Sequence, residues 1–193
     1  MTDKITLKLT TDIFKLSDYS PSNVTIYDKD GQVLLKEPSL MAFLKSTKNV
    51  IAIGNDAYGV VERVQTEMES FNQLNSETKQ KTLDTLKKLR VNINDFNPDN
   101  IIVGSPLQNG VVADLIAARK LFRYLTQKAF GYHLFKPHIV ICNPGEVTSV
   151  MRDMLIAVMI DVGCKSAMFI NKSYNEVRHE IPSKCKFVVE IEY

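Results

Sequence analysis

The sequence predicts an α/β protein built on a single sheet of mixed strand direction, and three observations carry that prediction. Short β-rich runs follow one another between Ile13 and Ile53 in the manner of an antiparallel meander. A helical block then interrupts them. The last hundred residues alternate strand and helix, and helices of that length between strands imply parallel crossovers.

The elements fall in order. Val24-Thr25-Ile26-Tyr27 precedes Asp28-Lys29-Asp30-Gly31, which is good hairpin-turn chemistry. Val33 to Lys36, Leu40 to Leu44 and Val50 to Ile53 complete the meander. Ahead of it, Ile5, Leu7 and Leu9 alternate like a strand, while Ile5, Leu9, Ile13 and Leu16 also fit a helical stripe; both readings stay open. Asn55 to Arg90 reads as helix, with Val64, Met68, Phe71 and Leu74 on one stripe and a second start near Asn75-Ser76. Lys87, Lys88 and Arg90 suit the C-terminal end of that second helix and read as a solvated face. Ile101 to Val103 and Val111 to Ala113 are strands, and Leu115 to Phe130 is a helix that Asp114 is placed to cap. The strand His138 to Cys142, a break at Asn143-Pro144-Gly145, a helix over Val147 to Val162, and strands at Ala167 to Ile170 and Lys186 to Ile191 follow.

Composition excludes several functions. The 193 residues suffice for one domain of ordinary size, and 45% hydrophobic with 24% charged residues is the balance of a globular protein. A net charge of +2 gives no electrostatic case for nucleic acid or anionic lipid as a partner. The longest apolar run, Leu155 to Ile160, is too short to span a membrane, and Met1-Thr2-Asp3-Lys4 opens no signal-peptide core. Cys142, Cys164 and Cys185 are far apart and lack a CxxC pair, which reads as reduced thiols and a cytoplasmic setting. His133, His138 and His179 have no metal-ligand spacing, and neither a nucleophile elbow nor a Walker loop is present.

Four phrases of the sequence each resemble a motif of one known family. Val33-Leu34-Leu35-Lys36-Glu37-Pro38-Ser39 resembles "IVLNEPS" and Ile51-Ala52-Ile53-Gly54-Asn55-Asp56-Ala57 resembles "AVGEEA". Pro106-Leu107-Gln108-Asn109-Gly110-Val111-Val112-Ala113-Asp114 resembles "PLKDGVIAD". Phe135-Lys136-Pro137-His138-Ile139-Val140-Ile141-Cys142-Asn143-Pro144 resembles "LKPRVVVCVP". Together they resemble the bacterial rod-shape-determining branch of the actin-like ATPases, the MreB family; the resemblance runs from Asp12 to about Ile170 and implies one half of an actin-like (RNase H-like) fold. On this reading residues 1–193 form a single actin-like domain, and 60–98 is a helical insertion within it.

The family's ATP chemistry has parts that can be matched one at a time. Its phosphate hairpin, "DLGTANT", falls on Asp18-Tyr19-Ser20-Pro21-Ser22-Asn23-Val24. Asp18 and Asn23 are kept, but Ser20 replaces the glycine that lets amides approach phosphate, and Pro21 removes a donor. The water-orienting glutamate of "YLIEEP" falls on Lys172, a group with donors only, which cannot take a proton from water. Phe187-Val188-Val189-Glu190-Ile191-Glu192-Tyr193 resembles the strand of the second phosphate hairpin, "VVDIGGGTT". Glu190 stands at its Asp position, and the glycines are missing. The expectation is therefore a non-catalytic, half-length MreB-like protein, a cytoskeletal or cell-shape interaction module without a cofactor. The alternative is a nucleotide-binding protein that completes its ATP and Mg²⁺ cleft by dimerisation or with a second polypeptide. An unrelated enzyme reusing the sheet is a third reading, for which the sequence offers no nucleophile.

With a cleft lost and a core kept, function should lie on surfaces. The helix after Pro144 is apolar nearly all round, so Met151, Met154, Ile156 and Met159 are the candidate interface, with packing against the chain's own terminus as the rival. The expected partner is another protein or a second copy, with no nucleic acid and with peripheral membrane contact left open.

Overall fold

The computed structural model describes residues 21–88, 100–131 and 136–192. The chain runs β1 (Asn23–Asp28), β2 (Val33–Pro38), β3 (Met41–Leu44), β4 (Val50–Ile53), α1 (Asn55–Tyr58), α2 (Val60–Gln73) and α3 (Ser76–Lys88). It continues through β5 (Ile101–Gly104), β6 (Leu107–Gln108), β7 (Val111–Val112), α4 (Leu115–Phe130), β8 (His138–Cys142) and α5 (Ser149–Asp161). The order ends with β9 (Ser166–Ile170), α6 (Tyr174–Val177) and β10 (Phe187–Glu192).

The main sheet has five strands in the order β2-β1-β10-β8-β9. β1 is antiparallel to both β2 and β10, whereas β10, β8 and β9 run parallel. This is the mixed sheet that the sequence predicts. The hairpin forms where expected: Asp28 accepts through its side chain from the backbone N–H groups of Asp30 and Gln32, and Gly31 takes φ +84°. That positive φ suits glycine.

β10 corrects one expectation. Phe187–Glu192, which resembles the strand of a second phosphate hairpin, is the central strand of this same sheet, bonded to β1 on one side and β8 on the other. The physical reason is burial. Val188, Val189, Glu190 and Ile191 are each 3% exposed or less, so the strand is covered on both faces, as a near-continuous apolar run requires.

Strand alternation divides the core. Val24, Ile26, Ile139, Ile141, Val189 and Ile191 meet Leu121, Phe122 and Leu125 of α4 and Leu155, Val158 and Met159 of α5. Asp114 caps α4 by accepting from the Ala117 N–H at 2.9 Å, and Thr148 caps α5 through Met151 N–H. Phe122 is 1% exposed, and its truncation to Ala costs about 3–5 kcal/mol. On the other face Val140, Cys142 and Val188 pack with Val177 of α6 and Cys185.

β3 pairs with β4 and β5 in a smaller antiparallel sheet, with Leu40 and Ala42 packed on Ala57 and Val60. The helical block is three helices, because Gly59 separates α1 from α2. In the predicted stripe Phe71 is half-buried and Leu74, which ends α2, is 37% exposed. The side chains of Val64, Met68, Lys87 and Lys88, the N-terminal strand-or-helix segment and Arg90 lie outside what the structure describes.

Candidate functional site

Because β8, β9 and β10 are parallel, their carboxyl ends share one edge of the sheet, where ligands of open α/β sheets bind. The amino end of β1 lies there too, since Asn23 is paired with Glu192. The edge therefore collects Ser22, Asn23, the Asn143-Pro144-Gly145 break and Asn171-Lys172.

Its polar groups bond to one another. Ser22, 3% exposed, accepts from the Gly110 N–H at 3.2 Å. Asn143, fully buried, donates to the Gly110 carbonyl at 2.8 Å and accepts from the Gly145 N–H at 3.0 Å. The Asn143 N–H donates to the Ile170 carbonyl. The Asn171 amide, turned to satisfy both partners, donates to the carbonyls of Asn143 at 2.8 Å and Gly145 at 2.5 Å. These bonds tie the β6–β7 turn, the break after β8 and the end of β9 together. Buried polar groups require such partners, and here the protein supplies them.

The predicted positions divide three ways. Asn23 and Lys172 are both exposed and both at this edge. Asp18 and Ser20 lie outside the described residues. Glu190 is built into the sheet two residues before the edge, 3% exposed, where it accepts from the Tyr27 hydroxyl and the Tyr174 N–H, each at 2.7 Å. Tyr27 stacks on Tyr174 with ring centroids 4.0 Å apart. Burial, then the Glu190 bond, pushes the Tyr27 phenol above its ordinary range. Glu190 thus fastens α6 to the sheet. Thr25, opposite Glu190 in the β1–β10 register, is also buried, and its hydroxyl has no partner among the described residues.

The cysteines are buried and free. Burial, then the Glu190 charge, pushes the Cys142 thiol up to about 12, and burial pushes Cys164 up to about 11. Burial raises Cys185 as well, against an opposing pull from Lys184. Thiols held neutral in this way are poor nucleophiles. Among the described residues no three His, Cys, Asp or Glu side chains group as a metal site.

The candidate interface on α5 also needs correction. Met159 is 1% exposed and sits in the core, and Met154 and Ile156 are partly buried against it. Met151 is half-buried. The exposed apolar side chains of this helix are Val150 at 67% and Ile160 at 41%. Leu155, Val158 and Met159 mark the inward stripe by their spacing of three and four, a signal that the nearly uniform apolar composition obscured.

Reasoning from the sequence also missed a buried pair. Glu37, 2% exposed, pairs with Lys128 of α4 and accepts from the Asn55 N–H at 3.3 Å. Gly54 turns there with φ +66°, and a Cβ on it would stand 1.6 Å from the Glu37 carboxylate. The signal was available: Glu37 and Gly54 both lie within the quoted phrases.

Comparison with known proteins places this geometry. The family described as MreB/Mbl protein matches residues 17–94 and 95–175. The cell shape-determining protein Mbl of Bacillus cereus is 28% identical over 134 residues, 69% of this chain and 30% of that protein. The cell shape-determining protein MreB of Pasteurella multocida is 21% identical over 161 residues, 80% of this chain and 36% of that one. The chain therefore spans about a third of the length of these relatives. The crystal structure of MreB5 of Spiroplasma citri bound to AMPPNP is similar with a TM-score of 0.51 and 24% identity. That likeness, over 78% of this chain and 35% of the other, shows the actin-like fold. With the family match covering most of its residues, the chain belongs to the MreB/Mbl family.

Proposed function

We propose that this chain is a non-catalytic MreB-like module that works through protein contacts in a cytoplasmic, cytoskeletal, cell-shape setting. The observation that carries the reading is the internal use of the amides at the carboxyl edge. A phosphate cradle needs free N–H groups, and those of Gly110, Asn143 and Gly145 already bond to protein acceptors. Lys172 adds to this, because an ammonium offers no lone pair to an attacking water. These observations support reading the described residues of this edge as a poor cradle for triphosphate with Mg²⁺, and no hydrolytic step is assigned to them.

Calorimetric titration of the full chain with Mg²⁺-ATP tests the proposal, and no saturable heat is expected. Micromolar binding that Asp18→Ala abolishes would sink it. One observation favours the alternative, nucleotide binding completed by a second copy or another polypeptide: the exposed Lys172 at the edge could hold a phosphate. Binding on that reading strengthens with protein concentration and weakens in Lys172→Ala.

A further inference from the structure

At the opposite end of the sheet from Asn143 and Lys172, the β1–β2 turn, α6, the segment 178–185 and the start of β10 enclose a hollow of about 250 Å³. This is just below the roughly 300–1,000 Å³ of sites for drug-sized ligands, and so suits something smaller. Ile181, Pro182 and Val188 give it apolar surface, and Lys29 and Arg178 bring two cations to its lining. Its walls are fixed in place. Tyr174 stacks on Tyr27, its N–H is held by Glu190, and a Cβ on Gly31 would stand 2.5 Å from the Tyr174 hydroxyl oxygen. Only a glycine lets the turn lie this close to the ring.

The charge at the hollow favours an anion. Arg178 donates from Nε to His179 at 3.1 Å, and among the described residues its two terminal nitrogens carry no bond. Lys29 pairs with Asp30 at 2.8 Å, but both side chains are about two-thirds exposed, and such a pair holds its cation weakly. Asp28 is the opposing charge. Its carboxylate is drawn into the turn, accepting from the Asp30 and Gln32 N–H groups. Beyond the lining, Lys184 offsets Glu180 along the same segment. Apolar surface with a forked guanidinium beside it matches one chemistry well, since that fork suits a carboxylate.

We propose that this hollow binds a small carboxylate with a compact apolar body, its charge met by Arg178 and Lys29 and its body seated on Ile181, Pro182 and Val188. The site is independent of the carboxyl edge and of the reading given for it. Methyl NMR titration of the full chain with benzoate, and with benzamide as its neutral isostere, tests the proposal. Saturable shifts at Ile181 and Val188 are expected with benzoate, with benzamide weaker by about tenfold or more. Arg178→Gln should weaken benzoate by a similar factor while leaving the other methyl signals in place, and Lys29→Gln should weaken it less. Ser183→Trp, which fills the hollow from its lining, should abolish the shifts. Equal binding of benzoate and benzamide, equal binding to the Arg178→Gln variant, or no saturable shift at millimolar benzoate would each overturn it.

Discussion

Glu37 shows how a single side chain can organise several segments. Its carboxylate is buried beneath Lys128 and against the turn at Gly54, so each partner is constrained by the others. Gly54→Ala must place a methyl where the carboxylate lies and hold φ +66° as well, and should cost about 2–3 kcal/mol in urea denaturation. Lys128→Met leaves the buried charge without its cation and should cost about 1–3 kcal/mol. The bond to Glu37 raises the Lys128 pKa, so its stabilisation is complete below the unfolded lysine value of about 10.4 and is lost as pH rises through the folded one. The thiols act earlier on the same axis. Cys142 and Cys164 are raised in the fold, so stability should hold to about pH 8.5 and then fall, by up to about 1.4 kcal/mol per pH unit for each. Denaturation between pH 7 and 10.5 checks this, and Cys142→Ala should flatten the slope. These effects are hard to see in the sequence: cysteine type suggested buried thiols, but the partners of Glu37 are brought together only by tertiary packing.

At the scale of elements, spacing and breaker residues were enough for most boundaries. The strand at His138–Cys142 and the helix at Leu115–Phe130 form where periodicity puts them, because Asp114 caps one end of the helix and Gly131 closes the other. The neighbours of β10 were not legible, since strand order depends on which edges remain unpaired elsewhere in the chain. The clue lay in its composition: an edge strand such as β2 exposes Val33 and Lys36, while Phe187 to Ile191 is apolar but for Glu190. That glutamate is tolerated because Tyr27 and Tyr174 supply its donors. Glu190→Ala should cost about 1–3 kcal/mol and speed hydrogen exchange at the Tyr174 amide, because α6 loses its tie to the sheet. Equal exchange in both proteins would contradict that role. Val189→Pro, which removes a ladder donor from a strand paired on both sides, should abolish the folded circular dichroism spectrum.

For the whole molecule, the actin-like half and its mixed sheet were readable, and the carboxyl edge was reachable through Asn23 and Lys172. Its closing network was not, because Ser22, Asn143 and Asn171 are unremarkable residue types until three loops meet. Surface and core on α5 also separate only in the folded protein, which gives a test at this scale. Met159→Glu should unfold the protein, whereas Val150→Glu and Ile160→Glu should leave its circular dichroism intact. If these exposed side chains join copies of the chain, the latter two changes should also lower the mass seen in analytical ultracentrifugation.

The position of β10 has a consequence for biosynthesis. Tyr27 and Glu190, bonded in the folded sheet, are 163 residues apart in the chain. A ribosome delivers the β1–β2 hairpin long before the strand that completes the sheet, and the β8–β9 pair only shortly before it. Until β10 arrives, the sides of β1 and, once made, of β8 that it pairs with lack that partner strand. Late in translation the nascent protein is thus two unfinished sheets, with both unpaired edges available to chaperones or to aggregation until Glu190 emerges.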